Sequence, residues 1–319
     1  MKRFGWGQWK KRYSEFKNRK LRSIERWGLC YLHSRYSLDG LAWSVAEVLG
    51  KSGKHGHVSV QSIWIDGTPQ AEAQIGGGVK VKCELADLLF LLEEKNTSGH
   101  IQRETALLIQ GKATPKYNKL TSGSSTKKER QLLEGIDRSN PLDLYKDTSG
   151  SSGAKIGSYT LGGIHHGLSD CSRYLLMPKA AVWLFWPYPL TIAPFQVGWP
   201  KSKLSPYLKA PRGVVEAIQR MALFGDIGKV VIDPSKCEWS RLVNDLRRNY
   251  AGTYMSGYGG QPRHNISGDV MCFASSSFPM HGNQRSSPPP PIKEGEDTEE
   301  FIPPSISILK VSILYSDQT

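Results

Sequence analysis

The chain has 319 residues, a length that admits one large domain or two ordinary ones. Hydrophobic residues make up 39% of it and charged residues 22%, which excludes a wholly disordered chain and leaves a globular protein with a sizeable core. A net charge of +13 and a pI near 9.4 point to an anionic partner, with nucleic acid ahead of an acidic membrane surface.

The five cysteines, Cys30, Cys83, Cys171, Cys237 and Cys272, are odd in number, far apart and without a C-x-x-C pair. That pattern speaks against a disulfide framework and a zinc ribbon, and fits reduced thiols in a cytoplasmic setting. No apolar run approaches the ~18 residues needed to span a bilayer. The charged start lacks the apolar segment of a secretory signal.

Residues 1–30 read as a basic, aromatic arm. Lys2, Arg3, Lys10, Lys11, Arg12, Lys17, Arg19, Lys20, Arg22 and Arg26 interleave with Trp6, Trp9, Tyr13 and Phe16, opposed only by Glu15 and Glu25. Such an arm can lay cations along phosphates while its rings stack on bases. It can equally dock on the body through those rings. Lys10, Lys11 and Arg12 are its candidate nucleic-acid contacts.

Apolar positions 38, 41, 42, 45, 48 and 49 recur at helical spacing, ended by Gly50 and Gly53, and place Glu47 near the end of a helix. Residues 58–65 read as a strand, 66–69 as a turn and 70–75 as a returning strand. Gly76, Gly77 and Gly78 then form a flexible link. Residues 79–92 read as one long extended stretch, 96–99 as a turn and 103–113 as a second apolar stretch, so the pair makes a buried hairpin. A basic loop spans 114–130 and leads into a helix over 127–134, and 147–158 is Ser/Gly-rich and exposed.

The second half alternates strand and helix signals: strand 181–186, helix 213–224, strand 229–233, helix 238–250 and strand 269–274. Residues 283–304, with Pro288 to Pro291 and five acids, read as a disordered linker. A last strand, 305–315, returns to the sheet edge. The expected organisation is an arm (1–30), a core (31–146), a C-terminal α/β part of the same or a second domain (147–282), the linker (283–304) and a terminal strand (305–319).

The hairpin carries the chemistry. Side chains alternate along a strand, so Gln110 and Lys112 share one face. A turn near residues 96–99 folds position 87 back to about 108 or 110, which puts Asp87 on that same face. A carboxylate, an amide and an ammonium then converge among Leu, Ile, Ala and Phe, where polar groups are costly unless paired or bound to a metal.

This stretch, Glu84-Leu85-Ala86-Asp87 followed by Leu108-Ile109-Gln110-Gly111-Lys112, resembles the signature hairpin of the PD-(D/E)xK nuclease superfamily. Its D-(x)n-Q-x-K form is similar to that of Mrr-like restriction endonucleases. The resemblance covers residues 38–145. It departs from the pattern in having no Pro before Asp87 and Gln for the second acid. It implies an α/β, restriction-endonuclease-like fold, a mixed central sheet flanked by helices, here with a C-terminal α/β extension.

The resemblance further implies Mg²⁺ or Mn²⁺ held by Asp87, Glu47, Gln110 and the carbonyl of Gly111, with Lys112 acting electrostatically. It implies cleavage of double-stranded DNA, in bacteria commonly as defence against foreign DNA. Lys116, Lys119, Lys127, Lys128, Gln131 and Tyr145, after the hairpin, become candidate DNA contacts. The missing second carboxylate leaves open a catalytically degenerate fold that binds nucleic acid or a partner subunit. A homodimer or an assembly with other proteins is also open.

Other motifs are weaker. His165 and His166, as neighbours, point apart on a strand, and neither they nor His55 and His57 bring the convergent ligand set a structural metal site needs. Trp183, Phe185, Trp186 and Tyr188 suit a core or interface. Asp226 and Asp233 suit capping before Gly and Pro.

Overall fold

The computed structural model describes residues 5–18, 24–65, 69–145, 155–163, 167–183, 192–248, 264–266, 270–280 and 306–316. Three helices lead: α1 (Trp6–Asn18), α2 (Ile24–Leu32) and α3 (Arg35–Lys51). The Ser34 hydroxyl accepts from the Ser37 N–H and starts α3, satisfying one of the orphan donors of its first turn. Then come β1 (Gly56–Ile65), β2 (Gln70–Ile75), β3 (Val79–Glu84), β4 (Leu88–Lys95) and β5 (Ile101–Thr114). Gly77 and Gly78, at φ +86° and +80°, make a tight β2–β3 turn, not the flexible link the glycine triplet suggests.

The remaining elements are α4 (Ser124–Gly135), β6 (Leu142–Tyr145), β7 (Lys155–Tyr159), β8 (Ser172–Pro178), β9 (Gln196–Pro200) and β10 (Leu208–Gly213). They are followed by α5 (Val214–Leu223), β11 (Lys229–Val231), α6 (Glu238–Arg248), β12 (His264–Ile266), β13 (Val270–Met280) and β14 (Ile306–Tyr315).

Among the described residues, the central sheet runs β10-β9-β8-β5-β4-β14-β1-β13-β12, with β11 on the free half of β5. It is mixed: β4 and β5 are antiparallel, while β5 runs parallel to β8 and β14 parallel to β4. A smaller antiparallel sheet, β3-β2-β6-β7, lies beside it. The central sheet draws strands from both 31–146 and 147–282, so its hydrogen bonds cross that expected boundary.

Strand alternation sorts the core. Leu88, Phe90, Leu92, Leu107 and Ile109 pack on one face with residues of α2, α3 and α5. Leu89, Leu91, Ala106 and Leu108 pack on the other with α4, α6 and the small sheet. The protein is thus an α/β structure, a mixed central sheet flanked by helices.

Several expectations change. The extended stretch 79–92 breaks at residues 85–87, so β3 and β4 serve different sheets. Residues 181–183 are not strand, while β8, β9 and β10 are, and β7 overlaps the end of the supposed loop 147–158. β14 lies between β4 and β1, hydrogen-bonded on both sides, not at the edge. The linker 283–304 lies outside the described residues, as do Phe185, Trp186, Tyr188, His165 and His166.

The arm is docked. Trp9 is fully buried and donates its indole N–H to the Ala180 carbonyl at 2.9 Å. Trp6 donates to the Ile192 carbonyl at 2.7 Å and meets Trp183 edge-on. These rings are core, not a platform for bases. No helix among the described residues is long and apolar enough to cross a membrane.

Candidate active site

The site arises because β5 outruns β4. Their pairing ends at Leu88 opposite Ile109, after which only the Asp87 N–H still reaches the Ile109 carbonyl, at 3.0 Å. β5 continues to Thr114, paired with β8 on its other side. The N–H groups of Gly111 and Ala113 therefore lack β4 carbonyls. Buried backbone donors must find acceptors, and two carboxylates supply them. Asp87 accepts from Gly111 N at 2.7 Å, and Glu25 of α2 accepts from Ala113 N at 3.1 Å.

The register puts residue 87 opposite residue 110, so Asp87, Gln110 and Lys112 do share a face, the one covered by α4. Gln110 donates its Nε2 to Asp87 Oδ2. Among the described residues its Oε1 is buried with no hydrogen-bond partner. Lys112 is 4% exposed, and its Nζ lies 2.8 Å from Glu129 of α4 and 3.3 Å from Glu25.

Charge is concentrated here. Burial raises the Asp87 pKa well above the usual carboxylate range; Lys112 pulls it down, and Glu84 and Glu25 push it further up. Burial opposes the charge on Lys112, but Asp87, Glu25 and Glu129 outweigh it and lift the ammonium above its ordinary value. Burial, then Glu129 and Glu84, push the neighbouring Cys83 thiol up to about 12. Glu25, Asp87 and Glu129 thus gather around one ammonium, with Glu84 acting on Asp87, in a protein whose net charge is +13.

Glu25 was missed by sequence reasoning, and its only signal is being one of two acids in a basic arm. Gly111 lets it in. A Cβ there would lie 3.1 Å from Leu29 Cδ2, so the glycine permits α2 to cross this strand closely. Glu47, expected as the helix acid, instead pairs with Lys51 at 2.7 Å one turn along α3, and Glu84 and Glu25 are the carboxylates acting on Asp87.

For a divalent cation the donor chemistry fits. Asp87, Glu25 and the unsatisfied Gln110 Oε1 are hard oxygens of the type Mg²⁺ takes. Among the described residues no three His, Cys, Asp or Glu side chains group as a metal cage, so any such set must draw on Gln110 and backbone oxygen.

Around the site, Lys127 and Lys128 are exposed on α4, while Lys116, Lys119 and Gln131 are half-buried. Lys119 lies over the Tyr207 ring at 5.4 Å. Tyr145 is not beside them; its ring faces Lys82 on the small sheet. In the arm, Lys10 and Lys11 are exposed, whereas Arg12 stacks on Trp27 at 3.5 Å and pairs with Glu15 at 2.9 Å. That occupation ties the Arg12 side chain into the arm. His57 sits in β1 opposite Pro279, Asp226 pairs with Arg220, and Asp233 accepts from Ser235 N as its turn requires. Cys83, Cys171 and Cys237 are free thiols.

The chain matches no protein-family model, and no curated protein or solved structure matches it either.

Proposed function

We propose that this protein is a metal-dependent endonuclease of the PD-(D/E)xK type, with a restriction-endonuclease-like core that cleaves DNA phosphodiester bonds. One observation carries the reading. Asp87, Gln110 and Lys112 meet on one face where β5 outruns β4, and among the described residues the Gln110 Oε1 is left there as a buried acceptor with no hydrogen bond. A core amide serving only packing would be satisfied.

Asp87, Gln110 Oε1 and the Gly111 carbonyl would hold Mg²⁺ or Mn²⁺, with Glu25 in the part first assigned to Glu47. Such a cation, when bound, polarises a phosphate and makes water more acidic. Lys112 stays charged at neutral pH, which suits it to neutralising charge that builds on a phosphate and not to acting as a base. Glu25 and Glu129 hold that ammonium in place. The exposed Lys127 and Lys128, with Lys116 and Lys119, give the surrounding surface the charge to attract a phosphate backbone.

A second reading has its own support. Asp87 and Glu25 already cap backbone N–H groups, as they would in a catalytically degenerate fold that only binds DNA. Incubation of supercoiled plasmid with the full chain separates the two. The enzyme reading expects Mg²⁺-dependent nicking that EDTA and Asp87→Asn both abolish, with the variant's thermal melt intact. Retention of duplex without nicking under any divalent cation would favour the degenerate fold instead.

A further inference from the structure

The β9–β10 hairpin has a feature that closing a turn does not need. Among the described residues, Leu204 and Ala210 are the non-glycine positions with positive φ, at 59° and 41°, and both lie in this hairpin. Left-handed backbone is natural for Gly, Asn or Asp and disfavoured for a bulky side chain. Leu204 nevertheless sits at the tip, 49% exposed. Strained backbone persists where its surroundings over-determine it, and it gathers at functional sites.

The anchoring is explicit. The Leu204 N–H donates to the buried Glu134 carboxylate of α4. Arg130 binds that carboxylate and the Ser205 carbonyl, the latter at 2.8 Å, and the Tyr174 hydroxyl donates to Glu134 at 3.0 Å. Tyr174 is the β8 partner of Gln110 across the sheet. Leu204 is thus tied rigidly to the strand beside the candidate site. The loop that follows Lys112 runs alongside it: Leu208 N bonds the Asn118 carbonyl and Leu120 N the Pro206 carbonyl, each at 2.8 Å.

The surface around Leu204 is cationic. Lys201, Lys203, Tyr207 and Lys209 are exposed, and Lys119 leans over the Tyr207 ring. Residues 192–215 contain no acid, and Glu134 is neutralised by Arg130. An apolar prong on a stiff, strained hairpin within a lysine ring matches the chemistry of a stacked duplex, with phosphates outside and apolar base faces inside.

We propose that Leu204 is a wedge that inserts between base pairs of duplex DNA held by Lys119, Lys201, Lys203 and Lys209; as the partner of the cleavage site, this duplex rests on the nuclease reading. The wedge unstacks one step beside the bond presented to Asp87 and Lys112. Tyr207 is placed to stack on the sugar or base next to it.

The test uses the full chain in EDTA with duplexes of about 20 base pairs, long enough to cover one module's footprint, carrying 2-aminopurine at successive positions. Wild type is expected to raise the fluorescence at one step, reporting lost stacking. Leu204→Ala removes that rise and weakens Kd roughly tenfold, whereas Leu204→Phe keeps both. Leu204→Gly, which relieves the left-handed strain, melts at or above wild type yet loses the rise. A Leu204→Ala protein with normal melting that keeps the fluorescence rise and Kd overturns the wedge, as does a wild type that fails to bind duplex. Plasmid nicking is read separately: its absence beside an intact fluorescence rise removes the enzyme and leaves the wedge.

Discussion

The Asp87 carboxylate accepts from Gly111 and Gln110, yet burial and the charges of Glu84 and Glu25 oppose its ionisation. A pKa raised in the folded state means that the native protein binds the proton more tightly than the unfolded chain, whose Asp titrates near ~3.9. The contribution to stability is therefore whole below that value and is lost as pH rises through the folded pKa. Differential scanning calorimetry should show wild-type Tm declining over that interval, and Asp87→Asn flattening the decline and melting at or above wild type at pH 8. Adding Mg²⁺ should raise the wild-type Tm and leave the variant's unchanged, because only a ligand bound to the native state stabilises it. A variant several degrees less stable at pH 8 would mean that Asp87 is there for its hydrogen bonds.

At this scale the sequence is informative where parity rules. Asp87 and Gln110 are placed by a short turn and a period of two, both local. Glu25 is not, because its role depends on α2 meeting strand residues 87 and 88 positions later in the chain, which no local pattern encodes. Glu129 escapes for a similar reason, since its pairing with Lys112 needs α4 to fold over the sheet face, whereas Glu84 stands in the signature stretch itself without a role of its own being legible there. Glu47 shows the converse: a plausible helix acid whose partner, Lys51, was four residues away.

Among the elements, α2 and β5 form the joint on which the site depends. Gly111 is the contact point, and Leu29 fills the space where its side chain would be. Gly111→Ala should lift α2, separate Glu25 from Ala113 N, and destabilise by about 1–3 kcal/mol, the usual range for overpacking. Urea titration checks the magnitude. Leu29→Ala in the same chain should recover part of the loss, since the two changes share one space and are not additive. Full additivity would show that α2 does not bear on Gly111.

Helices at 35–51, 214–223 and 238–248 were legible because apolar spacing marks all three and glycines flank the first two. The strands β8, β9 and β10 were not. A short apolar run such as Tyr174 to Met177 has no period that separates buried strand from buried helix. The break between β3 and β4 hides in a continuous extended pattern, because a strand can change sheets without changing its alternation.

Across the whole molecule, β14 makes the sheet continuous. It pairs with β4 from Ser307 opposite Leu88 to Leu314 opposite Lys95, and with β1 along its length. Its side chains also close a buried polar group: Lys310 lies 2.7 Å and the Ser312 hydroxyl 3.1 Å from Glu93, which is 2% exposed. A chain lacking residues 306–319 should lose cooperative unfolding and collect in aggregates, since β1 and β4 would each present an open apolar edge. A synthetic peptide of residues 306–316 added during refolding should restore a single transition by circular dichroism. Unimpaired melting of the shortened chain would show that β14 is dispensable.

That late strand also sets a clock. Ser312 and Glu93 are 219 residues apart. A ribosome adding roughly 5–20 residues per second takes on the order of 10–40 s to travel that far. Throughout that interval the β4 flank of the hairpin bearing Asp87 and Lys112 stays open to whatever strand or chaperone is near, while β5 gains β8 and then β11 as they emerge. Assembly of the cleft is thus gated by translation itself, and a stalled message yields the right side chains without the scaffold that aims them.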